Sequence, residues 1–156
     1  MKAIHELTEH NMEMLVEFEK EARVTEADIF IHGFDPEQFR AATLENIKNP
    51  NFASAKCLMY VDDNERVLGR LDFCLLPSFA FGGDIRAYVD WIYVLKKHRH
   101  KGIAQLLFSK MEEYLKQLGA GDYFLVVAEN AEAQSFYNGL EKSRIEKQDI
   151  LVKELE

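Results

Sequence analysis

The stretch from Val89 to Leu118 constrains the fold more than any other part of the chain. Val89-Asp90-Trp91-Ile92-Tyr93-Val94 is strand text, rich in β-branched and aromatic residues. It runs through a basic turn, Lys96-Lys97-His98-Arg99-His100-Lys101, to Gly102. Gly102 opens the most periodic helix in the sequence, with Ile103, Leu107, Met111, Tyr114, Leu115 and Leu118 on one stripe and Gly119 as the stop. Residues 122–128 then read as a fully buried strand. Strand, tight basic turn, glycine and amphipathic helix in that order belong to a layered fold that mixes sheet and helix.

The flanking text agrees. Residues 2–7 alternate as a first strand, and Thr8 caps a helix expected over 9–22. Residues 23–34 read as loop with a short helix. Asp35-Pro36-Glu37 is a helix start combining an N-cap, a proline at the first helical position and an acidic first turn, and that helix runs to Lys48. Residues 54–61 and 66–76 form a hairpin about the polar turn 62–65. Residues 77–83, with Phe79, Ala80 and Phe81, form a loop that either lines a cleft or clasps the core. A strand at 86–95, a helix from Ala131 to Asn138 and a last strand at 144–153 complete the order β-α-α-β-β-β-α-β-α-β. The class is α/β (α+β): a mixed, largely antiparallel sheet of about six to seven strands with helices on both faces.

Composition narrows the function. A chain of 156 residues with 47% hydrophobic content has the size of one domain, taken as 1–156. Its 19 Lys+Arg against 27 Asp+Glu give a net charge of −8, which argues against general binding to nucleic acid or anionic membrane. No apolar run approaches the ~20 residues of a membrane span, and the first residues lack a signal-like apolar segment. Cys57 and Cys74 form no CxxC. A cytoplasmic protein is the expectation. The charge is uneven, because Lys96, Lys97, Arg99 and Lys101 put four of the 19 basic residues within six positions. One cationic spot on an acidic body suggests a local anion site.

A helix N-terminus supports that reading, since its unpaired N–H groups carry about half a positive charge and suit a phosphate. Gly102 lets a ligand approach the backbone, and Ala104 keeps the next turn small. An ordinary basic loop leading into a helix is the alternative, and the pattern alone leaves both open. The sequence there is neither GxGxxG nor GxxxxGK[ST].

Arg99-His100-Lys101-Gly102-Ile103-Ala104 matches the pattern Arg or Gln, two residues, Gly, one residue, Gly or Ala, and follows a strand ending in Tyr93-Val94. Downstream come Ala128-Glu129-Asn130, Ala133 and Phe136-Tyr137. In these residues, their order and their spacing, the chain resembles the GCN5-related N-acetyltransferase (GNAT) superfamily over essentially residues 2–153. The resemblance implies transfer of acetyl from acetyl-CoA to an amine, with no metal. It implies that the backbone of Arg99, His100, Lys101, Gly102, Ile103 and Ala104 cradles the CoA pyrophosphate. Val94, at a bulge splaying two parallel strands, would bind pantetheine and the acetyl carbonyl. Asn130 would contact the CoA arm, as well as serving as a plain helix N-cap. Tyr137 would protonate the departing thiolate. The side chains of Arg99 and Lys101 would matter less than their backbone. Asp90 stands where family members commonly carry an acidic residue. It is either the base that deprotonates the acceptor or a carboxylate that orients a cationic one. By strand alternation it shares a face with Ile92 and Val94. After Phe136-Tyr137 the text departs from the family, because Asn138-Gly139-Leu140 brings the glycine early and replaces its aromatic partner.

The regions matching family acceptor sites carry Glu26, Asp28, Asp35, Glu37, Asp72, Asp84 and Asp90. An acidic lining suits a small cationic amine of polyamine or aminoglycoside type. Protein N-terminal or lysine acetylation is the enzyme alternative, and a non-catalytic acyl-CoA-binding module the alternative outside enzymes. Family members are often dimers, so a homodimer is among the partners the resemblance implies.

Overall fold

The computed structural model describes residues 3–27, 29–30, 33–79, 84–147 and 152–153. The chain divides into two units, residues 1–125 and 126–156.

The first unit is built on a five-stranded sheet: β1 (Ala3–Glu6), β2 (Ala55–Val61), β3 (Val67–Pro77), β4 (Ile85–Val94) and β5 (Asp122–Leu125), in spatial order 1-2-3-4-5. The first four strands are antiparallel neighbours, while β5 pairs parallel to β4 after a helical crossover. The helices are α1 (Met12–Thr25), α2 (Pro36–Lys48) and α3 (Ile103–Gln117). The sheet is mixed and largely antiparallel, as the sequence order implies.

Register assigns the two faces. Gly69, Leu71 and Phe73 of β3 lie opposite Val94, Ile92 and Val89 of β4, and α3 packs there, with Phe73 against Tyr114 at 5.9 Å. Arg70 and Asp72 point the other way with Tyr93 and Trp91, toward α1, where Phe18 meets Tyr93 at 6.0 Å. The core comprises Met12, Leu15, Val16 and Phe18 of α1, the inward residues of β2 to β4, and Ile103, Leu107, Phe108, Met111 and Leu115 of α3. Leu118, expected on that stripe, is 40% exposed, because Gly119 in the left-handed region (φ 74°) ends α3 there.

The helix starts follow local chemistry. Asp35 accepts from the backbone N–H of Glu37 and Gln38 and caps α2 with Pro36 at its first position. At Thr8 the chain first makes a short 3-10 turn, Glu9–Asn11, and α1 then runs three residues past its expected end at 22. Residues 26, 27, 29 and 30, described between α1 and α2, are not helical.

The second unit holds α4 (Ala131–Asn138) with the expected bounds. Two strand expectations change. β5 ends at Leu125, and its outward residues, among them Phe124 at 42%, are exposed; it alternates instead of being buried on both faces. Residues 144–147 and 152–153, within the expected last strand, are irregular, and the rest of that segment lies outside the described residues. The described residues therefore give five strands against the six to seven expected.

Candidate active site

β4 ends in an open backbone edge. Its pairing with β5 stops at Val89 opposite Leu125, while β4 itself continues to Val94. Leu95 donates its N–H to the Leu68 carbonyl at 3.0 Å. In an antiparallel ladder hydrogen-bonded pairs alternate, so Ile92 and Val94 turn their polar groups away from β3, toward the side where β5 has stopped. One of these groups is occupied: the Val94 carbonyl accepts from Arg99 Nε at 3.1 Å.

The turn after β4 is built on two left-handed residues. Lys96–His98 form a 3-10 turn, His100 has φ 57° and Gly102 has φ 80°. Glycine adopts that region freely, whereas histidine does so at a cost of about 1 kcal/mol or more. No side chain caps α3, whose first helical bond runs from the Leu106 N–H to the Gly102 carbonyl at 3.0 Å. By contrast Asp35 caps α2 and Asn130 caps α4. An added Cβ on Gly102 meets nothing within 4 Å, so the space beside its Cα is open. The donor set, backbone N–H with basic side chains around it, fits an anionic diphosphate.

Arg99 is not a solvated charge. Its guanidinium turns inward onto Glu26 at the C-terminal end of α1, binding both carboxylate oxygens, one of them at 3.2 Å. The Tyr93 hydroxyl donates to the same carboxylate at 2.6 Å, and Arg99 lies over the Tyr93 ring at 5.4 Å. Burial would raise the Glu26 carboxyl, yet the hydrogen bonds from Tyr93 and Arg99 outweigh it and hold it below its ordinary value. Burial first, and then the bond to Glu26, push the Tyr93 phenol well up.

Asp90 occupies a β-bulge. Asp72 pairs with Trp91 and Phe73 with Val89, so Asp90 is the extra residue of β4. Val89 and Ile92 consequently face the same side although they stand three positions apart, an offset that puts residues of a regular strand on opposite faces. The expected alternation from Asp90 to Val94 is broken at Asp90 itself, because a bulge shifts the pleat by one residue. Asp90 is exposed and has no ion pair or hydrogen bond among the described residues.

The other acidic candidates are mostly engaged. Glu26 holds Arg99, Asp35 caps α2, Glu37 pairs with Arg40 at 2.6 Å, and Asp72 is clasped by Arg70. Arg70 also binds Glu19, which is 3% exposed and carries Arg23 as well. Asp84 precedes β4, and Asp28 lies outside the described residues. Phe79 is fully exposed, whereas Ala80 and Phe81 lie outside the described residues. An aromatic wall of Phe30, Trp91 and Tyr93, with ring separations of 5.5–6.5 Å, borders the α1 side of β4.

In the second unit Asn130 accepts from the Ala133 N–H at 2.8 Å through Oδ1, so the N-cap role is realised and its amide N–H groups remain as donors. Tyr137 is the penultimate residue of α4, its ring edge-on to Phe136 at 5.3 Å, and burial raises its phenol above the ordinary value.

Sequence reasoning missed Gly69. A Cβ there would lie 2.8 Å from Ile103 Cγ2, so the first residue of α3 rests directly on the β3 backbone. A glycine inside a strand pattern is the signal that marks such a close approach.

Solved structures with the same fold include acetyltransferases of several kinds. An acetyltransferase from Trypanosoma brucei superposes with TM-score 0.72 at 18% identity, covering 98% of this chain and 100% of that one. The aminoglycoside antibiotic 6'-N-acetyltransferase of Acinetobacter baumannii gives 0.71 at 15%, covering 99% of each. The ribosomal-protein-alanine N-acetyltransferase of Brucella melitensis biovar Abortus gives 0.72 at 16%, covering 99% and 100%. No curated protein sequence matches. The fold is that of the N-acetyltransferases. Residues 11–140 match the model of the acetyltransferase (GNAT) family, and the chain belongs to that family as one of its N-acetyltransferases.

Proposed function

We propose that this enzyme, as a single domain, moves the acetyl group of acetyl-CoA to a primary amine of a small cationic molecule by direct attack in a ternary complex. One observation carries the reading: the left-handed turn at His100 and Gly102 delivers an uncapped helix N-terminus beside the open edge of β4. The backbone of residues 99–104 cradles the pyrophosphate, with donors from residue 100 onward because the Arg99 N–H is held by the Lys96 carbonyl, and the open edge at Val94 takes pantetheine and the acetyl carbonyl. The amide N–H groups of Asn130 contact the CoA arm.

The chemistry follows from this arrangement. The acceptor reacts as its free base, so an ammonium must first give up a proton. Asp90, exposed and with no ion pair or hydrogen bond among the described residues, takes that proton through water and attracts the cation before it. The nitrogen forms its bond to the acetyl carbon, and the Val94 N–H stabilises the resulting oxyanion. The C–S bond then breaks, Tyr137 hands its proton to the thiolate, and the attacking nitrogen gives up its second proton to solvent as the amide forms, so that Tyr137 is reprotonated from solvent with no net change. Its raised phenol keeps that proton at neutral pH.

With Glu26, Asp35, Glu37 and Asp72 engaged, Asp90 is the carboxylate on β4 left to meet a cation, and the Phe30–Trp91–Tyr93 wall supplies aromatic faces beside it. Two free cysteines, Cys57 and Cys74, suit a reducing, cytoplasmic setting.

Release of CoA thiol across a panel of polyamines, aminoglycosides, amino acids and peptides tests this function. Turnover with small polycationic amines is expected. Turnover confined to peptides would identify a protein acetyltransferase instead, and CoA binding without thiol release for any amine would identify a non-catalytic module.

A further inference from the structure

The strongest unassigned feature is the buried acid at the end of α1. Glu26 is 8% exposed, yet it is no part of the sheet core and its carboxylate faces the cofactor turn. Both of its oxygens bind Arg99, and one also accepts from Tyr93 at 2.6 Å. Arg99 in turn reaches back from the turn to the last carbonyl of β4, with Nε to Val94 O at 3.1 Å. One guanidinium thus ties three elements together: α1 through Glu26, the end of β4 through Val94, and the turn through its own backbone. The next residue but two is Gly102, which opens α3.

We propose that Glu26 is a positioning residue for acetyl-CoA, acting through Arg99 to hold the Val94 edge and the 99–104 turn in one fixed geometry. The proposal rests on the reading of that turn as the CoA site. Charge and shape support it. A guanidinium presents its N–H groups in a rigid fork, and a two-oxygen partner fixes the fork's orientation. With that orientation fixed, Nε has one direction available, which is toward the Val94 carbonyl. The same ion pair neutralises Arg99, so the pull on the diphosphate comes from backbone N–H groups and from Lys101 and its neighbours. It also explains how His100 is kept left-handed, since residue 99 is clamped on one side of it and the α3 start on Gly69 on the other.

The consequence is specific to binding. With Arg99 released, the Val94 edge and the turn no longer hold one spacing, and the two ends of the CoA chain lose their common frame. Glu26→Gln preserves volume and an acceptor for Tyr93 while removing the charge. It is expected to raise the dissociation constant for CoA about tenfold, as loss of a charged hydrogen-bonded pair does. The KM for acetyl-CoA should rise in step, and turnover at saturating acetyl-CoA should fall by much less. Arg99→Gln should match it, and the double variant should be no weaker than Arg99→Gln alone.

The decisive measurement is titration calorimetry with CoA well below the unfolding temperature of each variant, beside thermal melts. A lowered melting temperature with an unchanged CoA constant in Glu26→Gln would overturn the proposal, as would additive effects in the double variant. If Glu26→Gln does not fold, Tyr93→Phe keeps the ring and removes the hydrogen bond to Glu26. A two- to threefold weaker CoA constant is then expected as an order of magnitude, and an unchanged one overturns the proposal. Failure of the wild-type protein to bind CoA would remove both the site reading and this inference, whereas normal wild-type binding with an unaffected variant would remove the inference alone.

Discussion

Gly69 on β3 and Ile103 at the start of α3 are in contact so close that a Cβ on residue 69 would lie 2.8 Å from Ile103 Cγ2, and 3.3 Å from both Leu107 Cδ1 and Val94 Cγ2. The contact sets how low the motif helix sits on the sheet, and it lies directly beneath the turn that presents Gly102. Ile103 is β-branched and stiff in a helix, so it cannot swing aside as a longer side chain would.

Gly69→Ala should therefore cost stability by about 1–3 kcal/mol through overpacking, and should lower CoA affinity as α3 lifts. Denaturant melts and CoA titration check this; a fully retained melt would mean that the helix start yields freely.

His100 and Gly102 share the left-handed region but not its cost. His100→Gly should leave CoA affinity within about twofold and relieve up to ~1 kcal/mol of backbone strain. Gly102→Glu should abolish CoA binding with the fold retained, because it adds both strain and a negative charge where the diphosphate docks. Unchanged binding in Gly102→Glu would sink the pyrophosphate assignment.

Asp90→Asn should reduce kcat/KM for the amine about 10²-fold through a loss of kcat, with CoA affinity unaffected. A raised KM at full kcat would instead mark Asp90 as a carboxylate that only attracts the acceptor.

Tyr137→Phe should lower turnover about tenfold or more while leaving CoA affinity within about twofold. Steady-state kinetics beside CoA titration separate the two, and unaltered turnover would remove Tyr137 as the acid.

Glu26 predicts a pH effect on stability. Its carboxyl is held below 4.5 in the folded chain, so its pairing contributes fully above pH 4.5 and is lost as the pH falls through the lower folded value. Melting temperatures of the wild type should thus drop more steeply than those of Glu26→Gln below pH 4.5. Parallel slopes would show that the pair adds nothing to stability.

Local signals settled much of this protein. The Asp35-Pro36 start fixed the first residue of α2, Asn130 fixed that of α4, and the stripe from Ile103 with Gly119 fixed α3, because caps and period act within a few residues. The motif residues 99–104 and the order of elements, and with them the family, were likewise legible. What the sequence could not carry depends on partners far along the chain. The bulge at Asp90 exists because β3 and β4 are in register on either side of it, and nothing within β4 announces it. The length of β5 is a similar case, since β5 leaves the sheet at Leu125 while β4 runs on to Val94. Arg99 reads as a surface cation until folding brings Glu26, 73 positions away, against it. The acidic residues read as a lining for a cation, yet caps and ion pairs engage Glu26, Asp35, Glu37 and Asp72 and leave Asp84 and Asp90 exposed among the described residues. Sequence determined the local conformation and the chemistry on offer; tertiary structure decided which charges remain free, because neutralisation is a matter of distance in space.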